Sequence, residues 1–361
     1  MIHRRKPTRK KSLARIASGV VLTVILLFAG LSFLGIRMIY SEQFGRFERP
    51  DPATTSQMHH SDLASLYPHE LVSFYSGKNR LRGYLYHNPS SLGLIVVVHG
   101  LGGGADSYLA QIQYFLDQGW SILAYDATGS YESEGNGVGG FPQGIMDLDA
   151  ALQFASSRAD LRDLPILLFG HSWGGYAVAN ILHLNHDIAG VVSIAAPNSS
   201  MDIILEQGSQ MLGPVMYTQR PFVWIYERIL FGKTASLAAV DALGTTTVPT
   251  LIIHGSADNV VSPQGSGIIS RQGQIANPNV QFLLLDEDGR NGHNNILRSM
   301  ESIEYVNQLN SELRELADQY DGEIPYEVKR EFFRRVDKRL ANDVNRELMD
   351  RIHQFFLDCI Q

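Results

Sequence analysis

An α/β architecture is what this sequence predicts: an open, mostly parallel sheet with helices on both faces, preceded by one long apolar helix. Three features predict it. From residue 69 onward, short apolar runs alternate with segments of helical period, joined by short connections holding Gly or Asp. One of those runs, LGLIVVVHG at 92–100, is continuously apolar, as a parallel strand covered on both faces requires. Ahead of them, residues 16–36 (IASGVVLTVILLFAGLSFLGI) form 21 successive residues without a charge. The whole chain has 361 residues, 44% hydrophobic and 19% charged, which fits one large domain with appendages and an ample core.

The elements follow in chain order. Residues 1–15 hold seven Lys or Arg and no acid, whereas the remainder carries a net charge of −14. A basic terminus is compatible with nucleic acid, but the acidic remainder would be repelled by phosphate, so no nucleic-acid partner is expected. A helix of 21 residues at about 1.5 Å each spans roughly 30 Å, the thickness of a bilayer core. Arg15 and Arg37 bracket it. Residues 16–40 are therefore expected as a transmembrane signal anchor and residues 1–15 as a basic cytoplasmic tail, with the rest extracytoplasmic. A cleaved signal peptide is the alternative, but its apolar region is usually shorter, about 7 to 15 residues, and no A-x-A pattern follows here. Residues 41–68 are polar, contain Pro and show no periodicity, which reads as a linker. His59 and His60 fall within it. Adjacent histidines in a polar linker are expected to be solvated, and no metal site is assigned. The single cysteine, Cys359, excludes an intramolecular disulfide.

Residues 69–361 are expected to form the main domain. Strands are expected at 70–75, 80–86, 94–98, 121–126, 165–170, 190–195, 250–255 and 280–285, and helices at 107–118, 144–158 and 173–184. In open sheets of this kind, sites form at the carboxyl ends of the strands. There, Gly170-His171-Ser172-Trp173-Gly174-Gly175 lies between a strand and a helix. A serine on such a sharp turn projects its hydroxyl above the sheet, and the crowded backbone leaves no room for side chains at Gly170 and Gly174. The helix start beneath it offers free N–H groups and the positive end of a dipole.

On these residues the chain resembles the α/β-hydrolase fold superfamily, over roughly residues 70–300 and again at the last helix. The resemblance implies a nucleophile, an acid and a histidine in the chain order Ser, Asp, His. It makes Ser172 the nucleophile and assigns the acid to Asp258, in IIHGSADNVVSP, and the base to His293, in DEDGRNGHNN. It also matches His99-Gly100-Leu101, at the end of VVVHGLGGG, to the family's HG-x turn. The oxyanion hole is then the backbone N–H groups of Leu101 and Trp173. GLGGG lacks the G-x-G-x-x-G spacing of a dinucleotide loop, and no cofactor is expected. Asp126 is expected to satisfy loop amides, and the His171 side chain to be turned away by the elbow.

Residues 198–245 separate two strands by far more than a crossover needs and are rich in Met and aromatic residues, which suggests a helical cap over the site. Residues 301–361 hold 14 acids and 9 bases, about twice the average charge density of the chain. Helices are expected over 301–316, 326–340 and 344–360, the last as the closing helix, leaving 299–342 as an extension that packs on the domain or docks a protein partner. The function implied is a membrane-anchored serine hydrolase that cleaves small-molecule carboxylic esters. A serine peptidase or amidase of the prolyl-oligopeptidase-like type, and a non-catalytic binding protein on the same fold, are the alternatives.

Overall fold

The computed structural model describes residues 9–361; of the expected basic tail, residues 1–8 lie outside them. Helix α1 (Arg9–Gln43) and the short α2 (His60–Leu63) precede a hairpin of β1 (Glu70–Ser76) and β2 (Asn79–Tyr86). Then β3 (Leu94–Val98), α3 (Leu109–Asp117), β4 (Ser121–Tyr125), α4 (Gln143–Ser157), β5 (Ile166–His171), α5 (Trp173–Asn180) and β6 (Gly190–Ile194) alternate. Helices α6 (Ser200–Leu212), α7 (Met216–Phe231) and α8 (Ala239–Leu243) intervene before β7 (Thr250–Gly255) and β8 (Val280–Leu285). Helices α9 (Met300–Asp318), α10 (Tyr326–Arg334), α11 (Lys338–Ala341) and α12 (Arg346–Cys359) follow.

Among the described residues the strands form one sheet in the order β1-β2-β4-β3-β5-β6-β7-β8. β3 to β8 are mutually parallel, and β2 alone runs against them, pairing antiparallel with β1 and β4. The pleat explains the continuous apolar runs. In β3, Leu94, Val96 and Val98 pack with Ile145, Leu152 and Tyr176 on one face, while Ile95 and Val97 pack with Phe115, Met349 and Phe356 on the other. Both faces are core, so no position in the strand is free to be polar.

Helix α1 is longer than the apolar run it contains. Every residue from Ile16 to Phe28 is exposed, whereas Ser32, Ile36, Tyr40 and Phe44, spaced four apart, are buried. That spacing forms one helical stripe, and it lies on α7. Phe222 meets the edges of Phe28 and Phe33 at ring distances of 5.7 and 5.6 Å, and Tyr226 meets Tyr40 at 4.9 Å.

The segment 41–68, expected as a linker, is instead bound along the domain. Phe47 exchanges backbone hydrogen bonds with Gly129 and Tyr131, each 2.9 Å. The reason is electrostatic. Asp106 and Asp126 are buried, and Arg49 faces both, 3.0 Å and 3.4 Å away; burial pushes the Asp126 carboxyl up to about 7, so the firm negative charge is on Asp106. His59 and His60, expected to be solvated, are buried with ring nitrogens 3.1 and 2.7 Å from Asp106. Burial alone would raise the Asp106 carboxyl, but these neighbours outweigh it and hold it well below the usual carboxylate range. The single helix expected over 326–340 is two, because Asp337 accepts hydrogen bonds from the backbone N–H groups of Arg339 and Leu340 and restarts the helix as an N-cap. This part of the chain clasps the strap: Lys338 Nζ donates to Pro52 O at 2.9 Å and Asn342 Nδ2 to Ser56 O at 2.8 Å.

Replacing Arg49 with Ala removes the guanidinium from the buried Asp106 carboxylate. We expect Arg49→Ala to destabilise the fold by about 3–5 kcal/mol, read as a lower urea midpoint at unchanged slope. A loss under about 1 kcal/mol would show that packing, not charge, holds the strap.

Candidate active site

The turn from β5 to α5 has the shape the Gly-His-Ser-Trp-Gly sequence requires. Ser172 sits at φ 56° and ψ −118°, a left-handed conformation that a serine adopts only under constraint. The constraint is proximity. A Cβ on Gly174 would stand 2.0 Å from Val98 O, and one on Gly170 would stand 2.4 Å from Gly174 O. The start of α5 comes this close to the ends of β3 and β5 only because both positions lack a side chain.

Asp258 follows β7 and His293 follows β8, and the structure brings both to Ser172. His293 Nε2 lies 2.9 Å from Ser172 Oγ, and His293 Nδ1 lies 2.7 Å from Asp258 Oδ2. The other carboxylate oxygen of Asp258 accepts from the backbone N–H groups of Val260 and Val261, both at 2.9 Å. Burial would raise the Asp258 carboxyl, but hydrogen bonds from His254 and His293 hold it well below the usual range. An ionised Asp258 accepts from Nδ1–H of His293, which leaves Nε2 free to accept from the Ser172 hydroxyl.

The HG turn is stapled by its own histidine. His99 Nε2 accepts from Ala127 N–H at 2.9 Å, and Nδ1 donates to Gly100 O at 2.8 Å. Complete burial pushes this imidazole down to about 4, so it stays neutral. The N–H groups of Leu101 and Trp173 donate to no acceptor among the described residues. Trp173 is the first residue of α5, where a helix leaves its N–H unused. Asp126 accepts from Ala105 N–H at 2.9 Å, the loop-amide role expected of it.

Two further histidines belong to the site. His254 Nε2 faces Asp258 Oδ2 at 3.2 Å and Val261 O at 2.9 Å, so its proton points at the acid loop. His171 is turned away from the serine hydroxyl, as expected, but it is not idle. It donates from Nε2 to His293 O at 2.9 Å, and its Nδ1 meets Tyr108 Oη at 2.7 Å. Tyr108 Oη in turn accepts from Gly100 N–H at 3.2 Å. Burial and the neighbouring His293 push His171 down to about 3, which keeps this bridge neutral. A histidine inside the apolar run TLIIHG was the one sequence signal for His254; nothing marked the bridging role of His171.

A cavity of about 820 Å³ opens over Ser172 and His293. Ile203, Ile204 and Met216, from the region expected as a cap, form one wall, and Ile39, Tyr40 and Phe44 of the N-terminal helix and its end form another. The cavity walls carry no Asp or Glu among the described residues. Their one permanently charged group, Arg298, is engaged with Ser302 and the backbone carbonyl of Ala341.

Residues 89–221 match the sequence model of the family described as serine aminopeptidase, S33, a stretch that holds Ser172 and stops short of Asp258 and His293. No curated protein matches the chain by sequence. Among solved structures, the esterase Pf2001 of Pyrococcus furiosus is similar in two crystal forms. In one it is 17% identical over 76% of this chain and 98% of that chain, with a TM-score of 0.51. In the other it is 16% identical over 81% and 98%, with a TM-score of 0.51. At this identity the likeness is one of fold.

Gly174→Ala tests the elbow. A methyl group 2.0 Å from a carbonyl oxygen must push β3 and α5 apart. We expect destabilisation of about 1–3 kcal/mol, seen as a lower melting temperature, together with loss of serine reactivity. Unchanged melting and reactivity would refute the close approach.

Proposed function

We propose that this chain, which has the α/β-hydrolase fold, is a membrane-anchored serine hydrolase that cleaves carboxylic esters through an acyl-enzyme on Ser172. The observation that carries this reading is the continuous relay from Ser172 Oγ through both nitrogens of His293 to Asp258. Ser172 attacks the ester carbonyl while His293 Nε2 takes its proton, and Asp258 stabilises the imidazolium that results. The oxyanion is met by the unused N–H groups of Leu101 and Trp173. His293 then gives the proton to the departing alcohol, and water, activated by the same nitrogen, releases the acid.

Residues 16–36 serve as the anchor. The supporting facts are a helix of sufficient length, a mean hydropathy of 2.5 in its most apolar window, and its almost complete exposure up to Phe28. The basic cluster before it favours a cytoplasmic N-terminus and an extracytoplasmic domain. The family description favours a second reading, cleavage of an N-terminal aminoacyl amide. The cavity argues against that order: an aminopeptidase substrate brings a free α-ammonium, and these walls offer no carboxylate to pair with it. Small-molecule esters with apolar acyl groups fit the lining better.

Treating the full-length protein in membranes with a fluorophosphonate should label it, and Ser172→Ala should abolish the labelling. A folded wild type that resists the probe would overturn the reading. The pH dependence is a further check. Asp258 is held well below the usual carboxylate range, so it stays charged through neutral and mildly acid pH. We expect Asp258→Asn, which removes that charge, to lower kcat/KM at least about a hundredfold at every pH between 5 and 8. A variant that keeps wild-type kcat/KM across that range would show that the charge plays no part.

A further inference from the structure

Helix α1 serves as a ruler. At about 1.5 Å per residue, Phe28 lies roughly 12 Å along the axis from Ile36, the end of the apolar run. Phe222 of α7 touches Phe28 and Phe33. If residues 16–36 cross the bilayer, the first turns of α7 stand beside α1 below the level of Ile36, within the apolar layer. The surface there is largely apolar, with the exposed Arg220 as the one charge on the first turns of α7. Met211, Leu212, Val215 and Tyr217, on the corner joining α6 to α7, are 72%, 49%, 61% and 61% exposed, a patch that water would not favour. Farther along α7, between the levels of Phe33 and Tyr40, Trp224 is half exposed with the Arg228 guanidinium over its ring at 5.7 Å. An exposed tryptophan with a cation beside it suits the headgroup level.

The same corner lines the site. Met211 and Leu212 belong to the cavity wall and are also exposed, as is Ile39 on α1 opposite them, so the rim of the cavity is shared by the anchor and the corner. We infer that the bilayer delivers the substrate: the α6–α7 corner is sunk in the leaflet beside α1, and the bond cleaved is the ester of a lipid acyl chain that enters between them. This rests on the hydrolase and anchor readings above. An acyl chain moving from leaflet to cavity exchanges one apolar surrounding for another and meets no unpaired carboxylate on the way. The ester carbon transfers to Ser172 Oγ, the alcohol oxygen leaves with the proton held by His293, and water releases the fatty acid.

The test uses full-length protein in vesicles of diether phosphatidylcholine, which cannot be hydrolysed, carrying dioleoylglycerol and dioleoylphosphatidylglycerol. Oleate release is compared with turnover of soluble 4-nitrophenyl butyrate. Wild type should act on both. Val215→Asp with Tyr217→Asp, on the corner but outside the cavity wall, should lose oleate release at least tenfold and keep butyrate turnover within twofold. Turnover of butyrate without oleate release by the wild type overturns this inference and leaves the hydrolase reading standing; silence on both, with Ser172 unlabelled, overturns both. Undiminished oleate release by the double variant refutes delivery through the corner. A measurement on the native surface guards against a misfolded variant. Trp120 and Trp173 are buried in the domain, so phosphatidylcholine brominated near the headgroup end of its chains should quench chiefly Trp224, and Trp224→Phe should remove that quenching. Unquenched Trp224 would place the corner in water and end the proposal.

Discussion

Gly174 stands where three pieces of backbone crowd together: the end of β3, the end of β5 and the start of α5. The carbonyl of Val98 lies so near that even a methyl group on residue 174 has no place. Much else depends on this contact. It forces the left-handed turn at Ser172, aligns the HG turn beside the serine, and leaves the first N–H of α5 facing outward instead of into a helical bond. The parallel sheet makes the contact possible, because neighbouring parallel strands end at the same edge. β7 and β8 then deliver Asp258 and His293 to that edge from two more strand ends.

What holds this edge from outside is a set of buried polar bridges. His99 staples the HG turn to Ala127, and His171 ties the oxyanion side, through Tyr108, to the backbone of His293. Both imidazoles are neutral because burial disfavours their charged forms, so each has fixed donor and acceptor ends. Asp106 and Asp126 extend the bridging to the N-terminal strap through Arg49, and the helices after β8 pin the strap from its other side. The ring of Phe47 lies against Gly102 of the HG loop, at the distance where a side chain there would begin to touch it. The chain between α1 and the domain is thus packed against the loop that carries Leu101.

The contrast between what the sequence discloses and what it hides follows from where the partners lie. The strands are legible because both faces of the sheet are covered, which turns a period of two into unbroken apolar runs such as 94–98. Ser172, Asp258 and His293 are legible because each sits at a strand end, in the order the resemblance implies. The strap is not. Its residues look like any polar linker, since the partners of Arg49 are 57 and 77 residues away and nothing local distinguishes a paired arginine from a solvated one. His59 and His60 mislead for the same reason. The break before α11 was hidden by propensity: Asp337 stops one helix only because its side chain caps the next. His171 was hidden by its own motif, in which that position is free to vary.

Helix α1 and the site form one mechanical unit, and this bears on the chemistry the protein is proposed to perform. Had residues 41–68 been a free tether, the cavity would point in any direction and an anchor would set only its concentration near the membrane. The strap removes that freedom. Tyr40 and Phe44 continue the apolar helix directly into the cavity wall, and the buried stripe from Ser32 to Phe44 sets the angle between α1 and the helices above the site. A domain built this way holds its opening at a set angle to α1. Removing the last turns of α1 would strip Ile39 and Tyr40 from the cavity wall. The end of the apolar segment then has a structural role whatever its surroundings: Ile39, Tyr40 and, just past the helix, Phe44 help shape the pocket in which the proposed ester cleavage takes place.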